Sequence, residues 1–490
     1  MSSLLELPEE LLLMIIATHL DSEGDIFALI RTNRRLYAIG RRELYRFNGA
    51  NSNSSALHAS ALSGNVTAIA YALDEGGASI DAAGIHDSCA TPLILASGAG
   101  HISAVEFLLT KGAMVNWCAA GSNTALSVAV RGGHSAIVKR LLAVKGINPD
   151  IKDSSYSSPF WLACQGGHLE IVQSLLARDD INVNSVGMHG RTPLFVAALN
   201  AHTAVVRELV ADDRVDLGFI TMYEDPPLIM ACAKGYEDVV RVLLSSPRCN
   251  PSVAYHHDGP ALWVAVNSSH ARIVKMLLDR GVDPNGRNRK QETVLCRALR
   301  LGKTDITQQL LEYGADPCTT DVGGWTPLHL ATEAPDLAIV KLLLADARVD
   351  ANQASKSGMR PIHIAAHQED RATLELFADC KDVDVNAPDG DRLTPLMWVA
   401  YHGFLGHVQL LLAHAKIDIN LQSKHRFTAL IYAVKQGHVA VVKALLSHLK
   451  TDVNIDDGEG RSALWYASEY GYQDIAKLLI AAGAAESSRC

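Results

Sequence analysis

Hydrophobic and polar positions repeat along this chain with a nearly constant period. The segment that begins at Thr91 reads TPLILASGAGHISAVEFLLTKGAMVN, in which a compact apolar run is followed by apolar residues at helical spacing. Equivalent segments recur at steps of 36 and then 33 or 34 residues, and the thirteen starts are Ser55, Thr91, Thr124, Ser158, Thr192, Pro226, Pro260, Thr293, Thr326, Arg360, Thr394, Thr428 and Ser462. This periodicity predicts an array of small units, each of which buries its apolar face against its neighbours.

Each unit predicts two short helices. Thr91 is typical of a helix N-cap, and Pro92 fits the first helical position, where a missing N–H costs nothing. Gly100 predicts a left-handed end to the first helix, and Val105 and Leu108 lie on one face of the second. The array is therefore predicted to be all-α.

Four units lack the glycine that ends the first helix. Ala201 and Ser269 replace it in the fifth and seventh units, and Pro335 and Glu369 replace it in the ninth and tenth. We expect the turn to be built differently at these positions, with a local kink in the ninth and tenth units. The fading apolar pattern after residue 481 predicts a terminal cap.

Composition and charge narrow the functional classes. A net charge of −9 over 490 residues does not favour a general nucleic-acid coat. The apolar run at residues 11–17 is too short to span a bilayer, and acidic residues precede it where a signal peptide would be basic. These features predict a cytoplasmic or nuclear protein, or one present in both, with no membrane or nucleic-acid partner.

The sequence offers little catalytic chemistry. It has no phosphate-binding glycine loop, nucleophile elbow or H-E-x-x-H zinc motif. Its nine cysteines form no C-x-x-C pair, which favours reduced thiols over a disulfide framework or zinc site. His256, His257 and Asp258 form the one dense histidine cluster, without the further ligands that zinc needs. The prediction is a protein that is not an enzyme, with no cofactor and no metal.

The repeated pattern resembles the ankyrin repeat, whose motif runs TPLHxAAxxGHxxxVxxLL. The resemblance covers residues 55–490 and implies antiparallel helix pairs that stack into a solenoid, with short β-hairpin loops projecting from one side. It also implies that nine of the twenty histidines make hydrogen bonds within and between repeats. Six follow the glycine (His101, His134, His168, His202, His270 and His438) and three match the H of TPLH (His58, His329 and His363).

Residues 1–48 do not follow the period. Spaced apolar residues predict three short helices, and a linker at 49–54 joins them to the array. The Leu-Pro pair, the spaced leucines and isoleucines, the Leu-Asp break and the T-N-R-R-L-Y stretch resemble an F-box, as in fungal-type F-box/ankyrin proteins. The resemblance implies docking on the Skp-type adaptor of a cullin–RING ubiquitin ligase through Leu7, Pro8, Leu11, Ile15, Leu20, Ile26 and Leu29. The alternative is that these helices only cap the open end of the solenoid.

Variation between repeats marks the surface that is free to bind a partner. The loop tips and the ends of the first helices vary most, and aromatic and arginine residues there are the usual interface anchors. The predicted substrate-binding residues are Trp325, Tyr401, Phe427, Tyr470, Arg131, Arg300 and His402. Together these features predict a monomeric, non-catalytic adaptor that brings an unknown substrate protein to a ligase. The alternative is an ankyrin scaffold or inhibitor.

Overall fold

The computed structural model describes residues 55–84, 89–219, 225–252, 259–288, 290–334 and 336–485. The F-box-like segment 1–48, with its adaptor-binding residues and the linker, lies outside these residues, as does the cluster at 256–258. The chain divides into two compact units, Met1–Asn250 and Pro251–Cys490.

The described residues contain 26 α-helices in thirteen pairs and no β-strand, which confirms the predicted helical solenoid of ankyrin type. In the first unit the helices are α1 (Ser55–Leu62), α2 (Val66–Asp74), α3 (Pro92–Gly98), α4 (Ile102–Thr110), α5 (Ala125–Arg131), α6 (Ser135–Leu142), α7 (Pro159–Gly166), α8 (Leu169–Leu176), α9 (Pro193–Leu199), α10 (Thr203–Ala211), α11 (Pro227–Lys234) and α12 (Glu237–Ser245). In the second they are α13 (Ala261–Asn267), α14 (Ala271–Asp279), α15 (Val294–Arg300), α16 (Thr304–Glu312), α17 (Pro327–Glu333), α18 (Leu337–Ala345), α19 (Pro361–His367), α20 (Arg371–Asp379), α21 (Pro395–His402), α22 (Leu405–Leu412), α23 (Ala429–Lys435), α24 (Val439–Leu446), α25 (Ala463–Glu469) and α26 (Gln473–Ala481).

Within each unit the helices form two layers. The first helix of each pair packs on the first helix of the next pair, and the second helices stack in the same way. In the pair that begins at Thr91, the apolar residues Leu93 and Ala96 of α3 and Val105 and Leu108 of α4 have no exposed surface. The core therefore lies between the two layers and between successive pairs, as the period predicts.

Capping follows the sequence prediction closely. The Thr91 side chain accepts a hydrogen bond from the Ile94 N–H, and Pro92 occupies the first turn of α3. The same side-chain cap occurs at Thr124, Ser158, Thr192, Thr293, Thr326, Thr394, Thr428 and Ser462. Pro226, Pro260 and Arg360 occupy the cap position without that bond.

The turns without glycine behave in two ways. Ala201 and Ser269 adopt the left-handed conformation, with φ of 56° and 61°, so the prediction that these two turns are built differently was wrong. Packing of the helix pair holds even a residue with a Cβ in that region, although it is intrinsically unfavourable. The tenth repeat does differ, because Gln368 follows α19 in an extended conformation and the Asp370 carboxylate caps α20 by accepting the Ala372 N–H at 3.1 Å.

The projecting loops are tight turns, not the strand-containing β-hairpins that the resemblance implies. In the described residues only two isolated antiparallel bridges occur, Arg287 with Thr293 and Asp456 with Ser462. A typical tip is closed by one hydrogen bond from the Asp153 N–H to the Ser157 carbonyl, at 3.0 Å. Asp153 Oδ1 also accepts the N–H groups of Ser155 and Ser157, which replaces a strand ladder with a side-chain-capped turn.

Side-chain amides and imidazoles tie successive repeats together. Asn386 donates from Nδ2 to the Lys416 carbonyl at 2.7 Å and accepts the Asp418 N–H at 2.8 Å, which joins two loops. The same arrangement recurs at Asn116, Asn184, Asn285, Asn352, Asn420 and Asn454. His363 Nε2 lies 3.0 Å from the Leu393 carbonyl of the next repeat, and His101 Nε2 lies 2.9 Å from the Leu62 carbonyl of the preceding one. The structural role predicted for these two histidine positions is thereby confirmed.

Candidate protein-binding surface

A continuous chain of aromatic rings crosses the last four repeats of the second unit. Neighbouring ring centroids lie between 5.0 and 6.1 Å apart. We call this surface the aromatic strip, and its members are His367, Trp398, Tyr401, His402, Phe404, Phe427, Tyr432, Trp465, Tyr466, Tyr470 and Tyr472. Most contacts are edge-to-face or tilted, the arrangements that aromatic quadrupoles favour.

The repeat itself builds the strip. Trp398, Tyr432 and Tyr466 occupy the same position in the first helices α21, α23 and α25, at steps of 34 residues. Because these helices stack side by side, equivalent side chains become neighbours. Phe427 enters from a loop tip and contacts both Tyr432 and Tyr466, at 5.5 and 5.8 Å between centroids. First helices and loop tips therefore contribute to one surface.

A lysine lies in the middle of the rings. The Lys435 Nζ is 4.7 Å from the Phe427 centroid, 4.3 Å from that of Tyr466 and 5.9 Å from that of Tyr470. These are cation–π distances. Lys435 makes no ion pair with a carboxylate among the described residues, so its charge is balanced by ring faces and remains available to an anionic group.

His402 is held inside the strip as a neutral ring. It stacks on Trp398 and Phe404 at 5.6 and 5.8 Å, with interplanar angles of 11° and 21°. Burial lowers the pKa of His402, and the neighbouring charges of His367 and His438 lower it further. Its Nε2 is buried and has no hydrogen-bond partner among the described residues, which leaves an unused polar atom within an otherwise apolar stack.

A groove of about 300 Å³ adjoins the strip. It is lined by Trp325, Glu333, Met359, His363, Ile364, His367, Gln368 and Trp398. Two tips, two first-helix ends and part of α21 therefore converge on it. His363 is buried, and burial lowers its pKa, so it is a neutral wall of the groove.

The structure brings together five of the seven residues predicted to bind the substrate protein. Tyr401, His402, Phe427 and Tyr470 belong to the strip, and Trp325 lines the groove beside it. Tyr401 and Tyr470 are 43% and 45% exposed, enough to contact a partner directly.

The two predicted arginines are engaged elsewhere. Arg131 lies in the first unit, where it pairs with Asp153 at 3.1 Å and donates to Asn123. Arg300 pairs with Asp321 at 2.5 Å and Glu292 at 3.2 Å, both carboxylates being largely buried. Each arginine links the end of a first helix to neighbouring loop tips. Neither arginine belongs to the aromatic strip, so their role in substrate binding stays a prediction.

Sequence reasoning missed Trp398, Tyr432 and Tyr466. They lie within the apolar run of each first helix, where the sequence pattern does not distinguish them from core residues. The signal was present, since an aromatic residue at the same position in three successive repeats must form a row on a stack of helices.

A buried carboxylate anchors the far end of the strip. Asp457 accepts hydrogen bonds from the Tyr466 hydroxyl at 2.7 Å and Arg461 Nε at 2.6 Å, and from two backbone N–H groups. Burial alone would raise the pKa of Asp457, but these hydrogen bonds prevail and lower it to about 2.

We expect Asp457 to make the last repeats sensitive to acid. Because its folded pKa is depressed, its contribution is complete above pH 3.8 and is lost as the pH falls towards 2. A shift of this size corresponds to about 2 kcal/mol of unfolding free energy. Urea unfolding of wild type and Asp457→Asn should differ by about that amount at pH 6 and converge near pH 2. Asp474→Asn, an exposed carboxylate on α26, is the matched control. Equal stability of wild type and Asp457→Asn at pH 6 would contradict the assignment.

Other chemistry is sparse in the part of the chain that the structure describes. No three His, Cys, Asp or Glu side chains are grouped so that they could hold a metal ion. The described cysteines are free thiols, and burial raises the pKa of Cys164, Cys232 and Cys296, which disfavours reactive thiolates. Within the same residues, no helix combines the length and apolar character that crossing a bilayer requires.

Comparison with known proteins identifies the family to which the repeats belong. A family model for ankyrin repeats (3 copies) matches at residues 39–117, 57–153, 126–219, 160–255, 213–288, 262–355, 328–423 and 396–489. The chain is also similar to a putative ankyrin repeat protein, R664, of Acanthamoeba polyphaga mimivirus, at 37% identity over 68 residues. That match covers 13% of this chain and 42% of the viral protein. Ankyrin repeats are scaffolds for protein–protein interaction, and the family is generally non-catalytic. The overlapping matches, the thirteen helix pairs and the capped turns show that this chain belongs to the ankyrin-repeat family.

Proposed function

We propose that this protein is a non-catalytic substrate-recognition adaptor of a Skp–cullin–F-box type ubiquitin ligase. The second unit binds the substrate protein through the aromatic strip, and residues 1–48 dock on the Skp-type adaptor. The ligase then transfers ubiquitin to a substrate whose local concentration this chain has raised. Such a protein works in the cytoplasm, the nucleus or both.

The aromatic strip is the main structural support for the proposal that the repeats bind a substrate protein. Tyrosine, tryptophan and a half-buried lysine on one surface are the anchors that protein interfaces use, since large rings bury much area at little cost in conformational entropy. A second layer of rings beneath the exposed ones fixes their orientation before binding. The strip therefore supports recognition of another protein and not of a small metabolite.

The ligase half rests on the sequence of residues 1–48. Leu7 and Pro8 followed by spaced leucines and isoleucines support docking on a Skp-type adaptor, and so short a segment gains stability from such a partner. If these helices only cap the repeats, the same chain is an ankyrin scaffold or inhibitor, and adaptor binding separates the two.

The test is capture of a purified Skp-type adaptor by the full-length protein. We expect wild type to retain the adaptor and the double variant Leu7→Asp with Pro8→Ala to lose it, with an unchanged circular dichroism melt. Leu449→Asp introduces the same charge at a fully exposed position of the array and is the matched control. Failure of wild type to capture the adaptor, or equal capture by the double variant, would overturn the ligase role and leave the scaffold alternative.

A further inference from the structure

We propose that the groove between Trp325 and Trp398 binds an arginine side chain of the substrate protein. The inference rests on substrate binding by the repeats and specifies the chemistry that this surface recognises. It does not depend on the ligase role.

The size and lining of the groove fit a side chain. Its volume of about 300 Å³ lies at the lower end of the range for ligand pockets, which is about 300–1,000 Å³. Two indole rings and the apolar side chains of Met359 and Ile364 provide most of its wall. Such a surface accepts a long aliphatic stem and a flat group that can stack on an indole.

Two polar groups of the groove that lack partners are acceptors. The Glu333 carboxylate makes no ion pair within the described residues, and it is the acidic side chain of the lining. Gln368 directs Nε2 to the backbone carbonyls of Thr332 and Glu333, which identifies the other amide atom as the oxygen. That Oε1 is buried and has no donor among the described residues. A ligand that pairs with both acceptors brings hydrogen-bond donors, and a positive charge on it would complement Glu333.

Three polar side chains at or beside the groove are already engaged. His363 is hydrogen-bonded to the Leu393 carbonyl and to the Arg360 N–H. Arg360, beside Met359, directs its guanidinium to the carbonyls of Asn352 and Pro388. The Trp398 indole N–H is occupied by Asp389 at 3.2 Å.

Arginine meets these conditions better than lysine or an apolar residue. Its planar guanidinium stacks on indole faces, and its donors can reach a carboxylate and an amide oxygen together. The ammonium of lysine is more strongly hydrated and does not stack in this way. An apolar side chain would leave Glu333 and Gln368 unpaired.

The experiment is selection of random nonapeptides displayed on phage against the full-length protein. We expect one position of the recovered peptides to be arginine, with binding that weakens at least tenfold when this arginine is replaced by lysine or norleucine in the synthetic peptide. Binding should weaken by at least as much with Glu333→Lys, and also with Trp325→Leu, measured by calorimetry.

Glu469→Lys is the matched control, because Glu469 holds the equivalent last position of the first helix in the final repeat. It should bind the arginine peptide as wild type does. Recovery of apolar peptides without arginine, or arginine peptides insensitive to Glu333→Lys, would overturn the inference. Dimerisation of the wild-type protein that Trp325→Leu abolishes would also overturn it, since a second copy would then fill the groove. Loss of adaptor capture contradicts only the ligase role, so the two failures are distinguishable.

Discussion

Phe377→Ala is expected to lower the unfolding free energy of the repeats around it by about 3–5 kcal/mol. Phe377 lies on α20, has no exposed surface and is among the largest fully buried side chains. Its removal loses apolar burial and leaves a cavity between stacked pairs that backbone hydrogen bonds prevent from collapsing. Because each repeat is stabilised mainly by its neighbours, amide-exchange protection should fall most in α17–α22.

Urea unfolding and hydrogen exchange on the full chain measure this loss. Phe404→Ala removes the same atoms from a half-buried position in the neighbouring repeat and should cost distinctly less. Phe160→Ala, equally buried in the first unit, should reduce protection there and leave α17–α22 unchanged. Uniform loss across both units would contradict nearest-neighbour stabilisation.

The helix pairs were predictable because their signals are local. A capping Thr, a Pro at the first position and apolar spacing each act within a few residues, and their recurrence fixes the phase of the array. The left-handed turns show the limit of this reasoning. Ala201 keeps the geometry of glycine, whereas the tenth repeat replaces it by a cap from Asp370. Packing between whole repeats decides whether the turn is left-handed or capped by an aspartate, and the conformational preference of a single residue does not.

The candidate site was predictable at its exposed rim and not in its supporting layer. Tyr401, Phe427 and Tyr470 stand out because they vary between repeats, but Trp398, Tyr432 and Tyr466 look like core residues in the sequence. The two predicted arginines, Arg131 and Arg300, lie outside the aromatic strip for a related reason. The ion-pair partner of Arg131 lies 22 residues later on a neighbouring tip, a relation that only the stacking of repeats reveals. Sequence variation thus locates a surface, and contacts between repeats decide which of its members are free.

The double variant Tyr401→Ala with Tyr470→Ala is expected to weaken substrate binding on the order of 100-fold, since each exposed anchor contributes about 1–2 kcal/mol. Both rings are nearly half exposed. Tyr401 packs edge-on against Tyr432 and Tyr470 packs at a tilt against Tyr466, so truncation removes contact area without opening the core. The measurement is affinity for the partner recovered by proximity labelling with the full-length protein, beside a thermal melt. Tyr156→Ala, an exposed tyrosine in the first unit, is the control and should change neither the affinity nor the melting temperature.

The variant Lys435→Gln separates the contribution of the charge from that of the rings, because it removes the ammonium group that lies against the rings and keeps the rings themselves. If Lys435 pairs with an acidic group of the substrate, this variant should lose the salt dependence of binding while the tyrosine variant keeps it. Unchanged affinity in the tyrosine variant would place the binding surface elsewhere on the array.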